Sequence, residues 1–530
     1  MERMPRIGIL QSKHTREVLQ TMKKMTALSL GVLLLSASAM AGCAGNSGAN
    51  NQGTGSGADD PGEKITINLM TRSYAGGGWP PNHPVIDELN KRLNIDLKIE
   101  WVPSANYQEK LNVMAASNNF PDVFYMTNTE FVKWQAKNVF MDVKPELGKY
   151  PNIVKYIAEE SLQHFNPKDK YYGIPFYYQE ARDSLAIRKD WLDRLGLKMP
   201  ETVDEFYEVA KAFALNDPDG NGKQDTVGFS MEISPSGTFG FGGTAAFLTA
   251  SFGLANKWKL DESGKLIPMQ VQSEELKDFI GFMRKAYAEG VLDKDFPILK
   301  ARDSLNKLEA GKAGVANVNP QQLFTETLPP LTKLDPKAEL VQLMPPAGAS
   351  GQRGTSSLPT GDKIVINAKI DPQKQQRILK MLDYMLSDEG YDLIKHGIEG
   401  VHYKKISDTQ YEQLEASVKD RQFLLVGWFF KRFDPMFLIY KWMDPQEVAT
   451  IKSYFDNNEK VKIKNDGFGF VSETATKLGT TIDKKWMDAM VKVIAGQAPM
   501  ETIDQAIAEW RASGGDAIIE EMNEAYQNAK

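Results

Sequence analysis

The chain has 530 residues, a formal net charge of −6, 42% apolar and 10% aromatic side chains, and one cysteine. The lysines are interspersed with acids rather than clustered, which disfavours nucleic acid as a partner. A single cysteine permits no intramolecular disulfide, so stability must come from core burial. A chain this long can supply it in two or three conventional domains or in large lobes.

At the N-terminal end, Lys23 and Lys24 precede the apolar run 27–35 (ALSLGVLLL), a small-residue stretch, and then Met40-Ala41-Gly42-Cys43. This is the layout of a bacterial secretion signal. An ordinary signal peptidase has no use for a cysteine after its cut, whereas a lipoprotein signal requires one. Met40 to Cys43 resembles a lipobox with Met where Leu is usual, so Cys43 is expected to take a diacylglycerol and become the first residue of the mature protein. A buried, hydrophobe-like Cys43 is disfavoured because residues 44–62 (AGNSGANNQGTGSGADDPG) have almost nothing apolar to bury and read as a flexible tether. The start could equally be Met1, Met22 or Met25, and residues 1–21 are expected to add nothing to the fold. No later apolar run approaches the roughly 18 residues needed to cross a bilayer. The expected location is therefore the extracellular face of the cell membrane, held by the lipid.

Residues 65–70 (ITINLM) and 95–101 (IDLKIEW) alternate in the manner of strands, and 85–93 (VIDELNKRL) between them has helical spacing. An amphipathic helix is predicted over 107–117 and a short buried strand over 121–126. Beyond Gly173-Ile174-Pro175 come a strand at 185–188, a helix at 190–195 stopped by Gly196, and a helix at 202–213 opened by a Thr202/Glu205 capping box. Further helices are predicted at 273–289, 372–387, 483–495 and 516–529. Alternation of this kind implies α/β architecture with a mostly parallel sheet.

Several of these segments together carry a resemblance: 112–123 (NVMAASNNFPDV), 172–175 (YGIP), 187–192 (IRKDWL), 311–314 (GKAG), 397–403 (GIEGVHY) and 510–526 (WRASGGDAIIEEMNEAY). In order and spacing the chain resembles the lipoprotein-type extracellular solute-binding proteins of family 1, which feed carbohydrate ABC importers in Gram-positive bacteria. The resemblance implies a periplasmic-binding-protein-like clamshell of two discontinuous α/β lobes joined by a hinge. The expected division is a signal peptide with a doubtful extension (1–42), a lipidated tether (43–62), a first lobe from 63–180 and 361–410, and a second from 181–360 and 411–530. It also implies permease subunits of the importer as partners, with the protein itself a monomer.

Two constellations could carry chemistry. Asp217, Asp219, Asn221, Lys223 and Asp225 follow the oxygen spacing of an EF-hand loop, with Gly222 at the turn and Lys223 offering its carbonyl. Gly228 stands where the bidentate Glu should be. A structural calcium is favoured over a plain Asp/Asn/Gly surface turn, and related solute-binding proteins, alginate-binding ones among them, have similar loops. The second constellation is aromatic, since ring planes cover the apolar faces of sugars while polar groups bind their hydroxyls. The candidates are Tyr74 and Trp79 after the first strand, Tyr177, Tyr178, Glu180 and Arg182 at the first crossing, and Trp428 and Trp442. Trp191, Trp486 and Trp510 sit in helical patterns and read as packing.

Catalytic signatures are missing. The five histidines are scattered in sequence, Cys43 is committed, and neither a nucleophile elbow nor a phosphate-binding loop is present. The expected function is capture of an oligosaccharide for an ABC importer, without reaction. The rivals are a secreted lipoprotein glycosidase or polysaccharide lyase, which would need a pair of cleft carboxylates, and a binding protein that signals to a membrane receptor.

Overall fold

The computed structural model describes residues 63–73, 78–80, 82–166, 169–175, 180–233, 241–300, 302–357, 361–420, 430, 432, 434, 436 and 439–529. In chain order the first part holds β1 (Ile65–Ser73), α1 (Pro84–Leu93), β2 (Ile95–Pro103), α2 (Ser104–Ser117), β3 (Val123–Met126) and β4 (Ile174–Pro175). Next come β5 (Ser184–Arg188), α3 (Val203–Leu215), β6 (Val227–Phe229), β7 (Trp258–Leu260), β8 (Leu266–Pro268), α4 (Ser273–Ala288), β9 (Ala313–Val318) and β10 (Leu340–Leu343). The chain then returns through β11 (Thr355–Ser356) to β12 (Lys363–Ile366), α5 (Pro372–Leu386), α6 (Asp388–His396) and the hairpin of β13 (Tyr403–Lys405) and β14 (Tyr411–Gln413). It finishes with α7 (Pro445–Lys460), β15 (Lys462–Ile463), α8 (Thr480–Ile494), α9 (Thr502–Trp510) and α10 (Asp516–Ala529).

Two sheets organise these elements, one in each lobe. The first has the order β2-β1-β3-β12-β4 and the second β10-β5-β9-β6. All residues of β3, β5 and β12 are buried, as expected of strands covered on both faces. The predicted capping box is present: Thr202 Oγ1 accepts the Glu205 N–H at 3.2 Å, and the Glu205 carboxylate accepts the Thr202 N–H at 3.2 Å. This fixes the start of α3, whose apolar face packs Phe206, Ala210 and Phe213 into the second core.

The sheets are mixed rather than mostly parallel. β1 runs parallel to β2 and β3, but β12 runs antiparallel to β3 and β4, and β5 antiparallel to both β9 and β10. Local periodicity reports strand and helix but not direction. β12 enters the first sheet on its way back from the second lobe and so arrives from the opposite end.

Each sheet has its own hydrophobic core, and segments distant in sequence share each one. The first core unites Ile67, Leu69 and Phe124 with Ile364, Leu382 and Ile394, and extends to Phe430 and Tyr440. The second unites Leu185, Phe206 and Phe279 with Trp486, Ile507 and Trp510. Phe430 and Tyr440 therefore pack with the first lobe, beyond the change-over expected near residue 410.

Candidate functional site

The segments linking the lobes are tied to one another by side chains. Glu180 accepts from Ser357 Oγ at 3.1 Å and pairs with Lys462 Nζ at 3.2 Å, so one carboxylate holds pieces of three chain passages. Asn458 Nδ2 donates to the carbonyls of Ala181 (3.0 Å) and Asp183 (3.1 Å), and Asn256 Nδ2 to those of Ser357 (2.8 Å) and Ile463 (3.0 Å). β11 pairs in parallel with β15 beside them. These bonds satisfy backbone that lies outside either sheet.

Beside this hinge lies a cavity of about 680 Å³ lined from both lobes. The first lobe contributes Asn128, Phe165 and Asp362; the second contributes Asn256, Lys257, Trp258, Phe468, Asp483 and Trp510. The Asp362 carboxylate takes the Tyr125 hydroxyl and the Asn128 N–H, and Arg72, lying 4.0 Å over the Tyr125 ring, pairs with it at 3.5 Å. Burial nevertheless raises the Asp362 pKa above the ordinary carboxylate value. On the opposite wall, Asp483 Oδ1 accepts the Trp510 indole N–H at 2.8 Å and the Gln270 amide at 3.0 Å, and burial raises its pKa too. Lys257 has φ +66°, in the left-handed region uncommon for a side-chain-bearing residue. Burial lowers its pKa, and the charge of Asp483 only partly opposes this.

The walls touch through aromatic rings. Phe468 meets Phe165 edge-on at 5.3 Å (85°) and His164 at 4.8 Å (89°). Gly467 and Gly469 flank it, and a Cβ on Gly467 would come within 2.6 Å of Trp258 Cγ, so glycine is required there.

The candidates predicted from sequence are distributed unevenly around this site. Arg182 lines the cavity with its guanidinium forked on Asp183 at 2.8 and 2.9 Å, while Glu180 sits in the hinge network. Trp79 is 3% exposed and stacks on His83 at 5.4 Å within the first core, away from the cavity lining. Trp442 packs against the same core, stacked on Tyr440 at 4.9 Å. Cys43, Tyr74, Tyr177, Tyr178 and Trp428 lie outside the described residues. Trp510 combines two roles, packing in the second core as expected and lining the cavity. Sequence reasoning missed Lys257, Trp258, Phe468 and Asp483. Only Phe468 carried a usable signal, the Gly-Phe-Gly-Phe alternation at 467–470.

The acidic loop draws its side chains together. Asp217 accepts the Asn221 N–H at 3.0 Å and the Gly222 N–H at 2.9 Å, and Asn221 Nδ2 donates to Asp219 (2.7 Å) and Asp225 (3.1 Å). Burial and the neighbouring Asp217 carboxyl raise the pKa of Asp219, as expected where two carboxylates share one place. Lys312 Nζ lies 2.6 Å from Asp225. A Cβ on Gly228 would come within 2.3 Å of the Ala210 carbonyl oxygen, so position 228 has no room for a ligating side chain.

Among the described residues, one His/Asp group converges closely enough to suggest a metal: His83, His402 and Asp420. Each His Nε2 is 3.2 Å from the same Asp420 oxygen. Each Nδ1, however, accepts a backbone N–H, His83 from Val85 at 3.2 Å and His402 from Ile398 at 2.9 Å. The neutral rings therefore carry their protons on Nε2 and donate to Asp420, whereas a metal on Nε2 would force Nδ1–H against backbone N–H. The group is a satisfied hydrogen-bonded cluster that ties α1 to the segment after α6.

No helix among the described residues is long and apolar enough to cross a membrane. Residues 82–392 match the model of the family described as bacterial extracellular solute-binding protein. The chain is 28% identical over 520 residues to lipoprotein LipO of Bacillus subtilis, covering 96% of this chain and 99% of the relative. It is 29% identical over 524 residues to the polygalacturonan/rhamnogalacturonan-binding protein YtcQ of the same organism, again covering 96% and 99%. The alginate-binding protein AlgQ2, solved without calcium ion, superposes with a TM-score of 0.65 at 22% identity, covering 88% of this chain and 98% of that one. With two lobes, a tied hinge and a cavity lined from both sides, this chain belongs to the bacterial extracellular solute-binding protein family.

Proposed function

We propose that the protein captures an oligosaccharide in the cavity between its lobes and delivers it to an ABC importer. The observation that carries this reading is the cavity wall itself. The rings of Trp258 and Phe468 stand beside Asn256, Asp362 and Asp483, which joins apolar planes for sugar faces to acceptors and donors for hydroxyls. The similarity to YtcQ, named for its binding of polygalacturonan and rhamnogalacturonan, supports a carbohydrate ligand. Binding without reaction is consistent with the family. Lobe closure on the ligand would shift the population from open to closed, the hinge segments absorbing the motion.

Diacylglycerol on Cys43 and the tether at 44–62 would hold the receptor on the outer face of the membrane, within reach of its permease. The loop at 217–225 would hold a structural calcium through Asp217, Asp219, Asn221 and the Lys223 carbonyl, with Asp225 released from Lys312 to complete the set. Calcium there would neutralise two crowded carboxylates.

A thermal-shift screen of the purified protein against plant and microbial oligosaccharides tests the main reading, because a ligand that binds only the native state raises Tm. A sugar-specific rise is expected. A rise with peptides and none with any sugar would overturn it.

A further inference from the structure

Among the described residues lining the cavity, the charged groups are Arg182, Lys257, Asp362 and Asp483. Three of the four are engaged by direct contacts. Arg182 is forked on Asp183, Asp362 takes Tyr125, Asn128 and Arg72, and Asp483 takes the Trp510 indole and the Gln270 amide. Lys257 lines the same space, yet among the described residues its ammonium makes no hydrogen bond and no ion pair. Its backbone is held in place, with its carbonyl accepting the Met269 N–H at 2.9 Å despite the positive φ. A left-handed conformation on a lysine is costly and persists where surrounding structure imposes it.

We infer that Lys257 reads a carboxylate on the ligand, so that the captured sugar is an acidic oligosaccharide containing hexuronate units. The inference rests on the oligosaccharide reading above and narrows it to a chemical class. An ammonium in a partly dehydrated wall, with Asp483 near enough to act on it through space but not bonded to it, gains from a carboxylate in direct contact, and a charge-assisted hydrogen bond is among the stronger contacts a cleft can offer. Burial holds the Lys257 pKa below the ordinary lysine value, and a bound anion would raise it again. Both described donors to Asp483 fall on Oδ1, which leaves Oδ2 to accept a sugar hydroxyl nearby. The ring of Trp258, half-buried at this corner, can cover a pyranose face, with Trp510 packed behind it and holding Asp483.

The test is calorimetric titration of the full protein with pentamers of galacturonate, mannuronate and glucuronate, each beside its methyl ester, and with neutral pentasaccharides. At least one acid form is expected to bind about tenfold or more tightly than its ester, with affinity falling as salt rises. Lys257→Gln is expected to weaken the acid form about 10- to 100-fold and the ester much less, so that the acid-to-ester ratio falls toward one. Lys257→Arg should keep the preference. If Lys257→Gln fails to match the wild type in circular dichroism and apo Tm, the salt dependence and the acid-to-ester ratio of the wild type decide the ligand class, and the same ratio in Lys257→Met decides the role of Lys257. Equal affinity for acid and ester, or preference for a neutral sugar, overturns the role of Lys257 while the oligosaccharide reading stands. Binding of no carbohydrate, with a non-sugar bound instead, overturns both.

Discussion

The contact of Phe468 with Phe165 and His164 joins the second lobe to the first across the cavity, and it exists only when the lobes are together. Each edge-to-face aromatic pair contributes about 0.5–1.5 kcal/mol beyond area burial, so the two pairs at 4.8 and 5.3 Å favour the closed arrangement by about 1–3 kcal/mol. A ligand that binds the closed form must supply whatever closing free energy the protein lacks, so losing these contacts weakens apparent affinity. Phe468→Leu keeps the residue apolar but removes the edge-to-face geometry, and is expected to raise Kd about 5- to 150-fold. Both rings also line the cavity, so a single substitution confounds closure with ligand contact. The double-mutant cycle of Phe165→Leu and Phe468→Leu separates them, because a ring pair worth about 1 kcal/mol makes the double mutant about fivefold less impaired than the product of the singles. The assay is calorimetric Kd for the four proteins, with small-angle scattering to read the radius of gyration with and without ligand. Additive singles, with coupling below about 0.3 kcal/mol, together with an unchanged liganded radius would refute the closure argument.

The His83–Asp420–His402 cluster predicts acid sensitivity. Burial lowers the His83 pKa below 6.5, so the unfolded chain binds the extra proton first. Its contribution to stability is therefore complete above about pH 6.5 and is lost as pH falls below that toward the folded pKa, at about 1.4 kcal/mol for each pH unit that separates the folded and unfolded pKa values. The denaturant midpoint should drop between pH 7 and pH 5, and His83→Gln should flatten that drop. Asp420→Ala leaves two buried imidazole N–H groups without their acceptor and should cost about 2 kcal/mol or more at pH 7.5. Zinc should leave Tm unchanged; a zinc-dependent rise that Asp420→Ala abolishes would show that the rings turn to bind metal. For the 217–225 loop, chelation should lower stability by about 2–3 kcal/mol relative to calcium at a hundred times its Kd, and Asp217→Ala should erase that difference. Identical melting in chelator and in calcium would remove the ion from the loop.

Much of the architecture follows from local rules that a sequence exposes directly. The alternation of 65–70 and 95–101, the Thr202/Glu205 capping box and the Gly196 stop are short-range chemistry, and each reappears within a few residues of its expected bounds. The family was legible for the same reason, because its segments keep their order along the chain. Strand direction was not legible: β12 is antiparallel because of where the chain has been, which no local window contains.

The site divides along the same line. Arg182, expected from the motif at the first crossing, lies in the cavity lining, whereas Trp79 is an example of how a glycine-rich loop can deliver an aromatic to the core. Lys257 lies more than two hundred residues before Phe468 and Asp483, and neither composition nor spacing relates them. His83, His402 and Asp420 stand scattered in sequence and share one carboxylate oxygen in space. By itself the sequence determined many of the elements, the family and the lipid-anchor expectation at Cys43, since these depend on neighbours along the chain. The tertiary structure decided which charges are matched and which rings face one another across the cleft, because those relations depend on two lobes that the chain enters more than once.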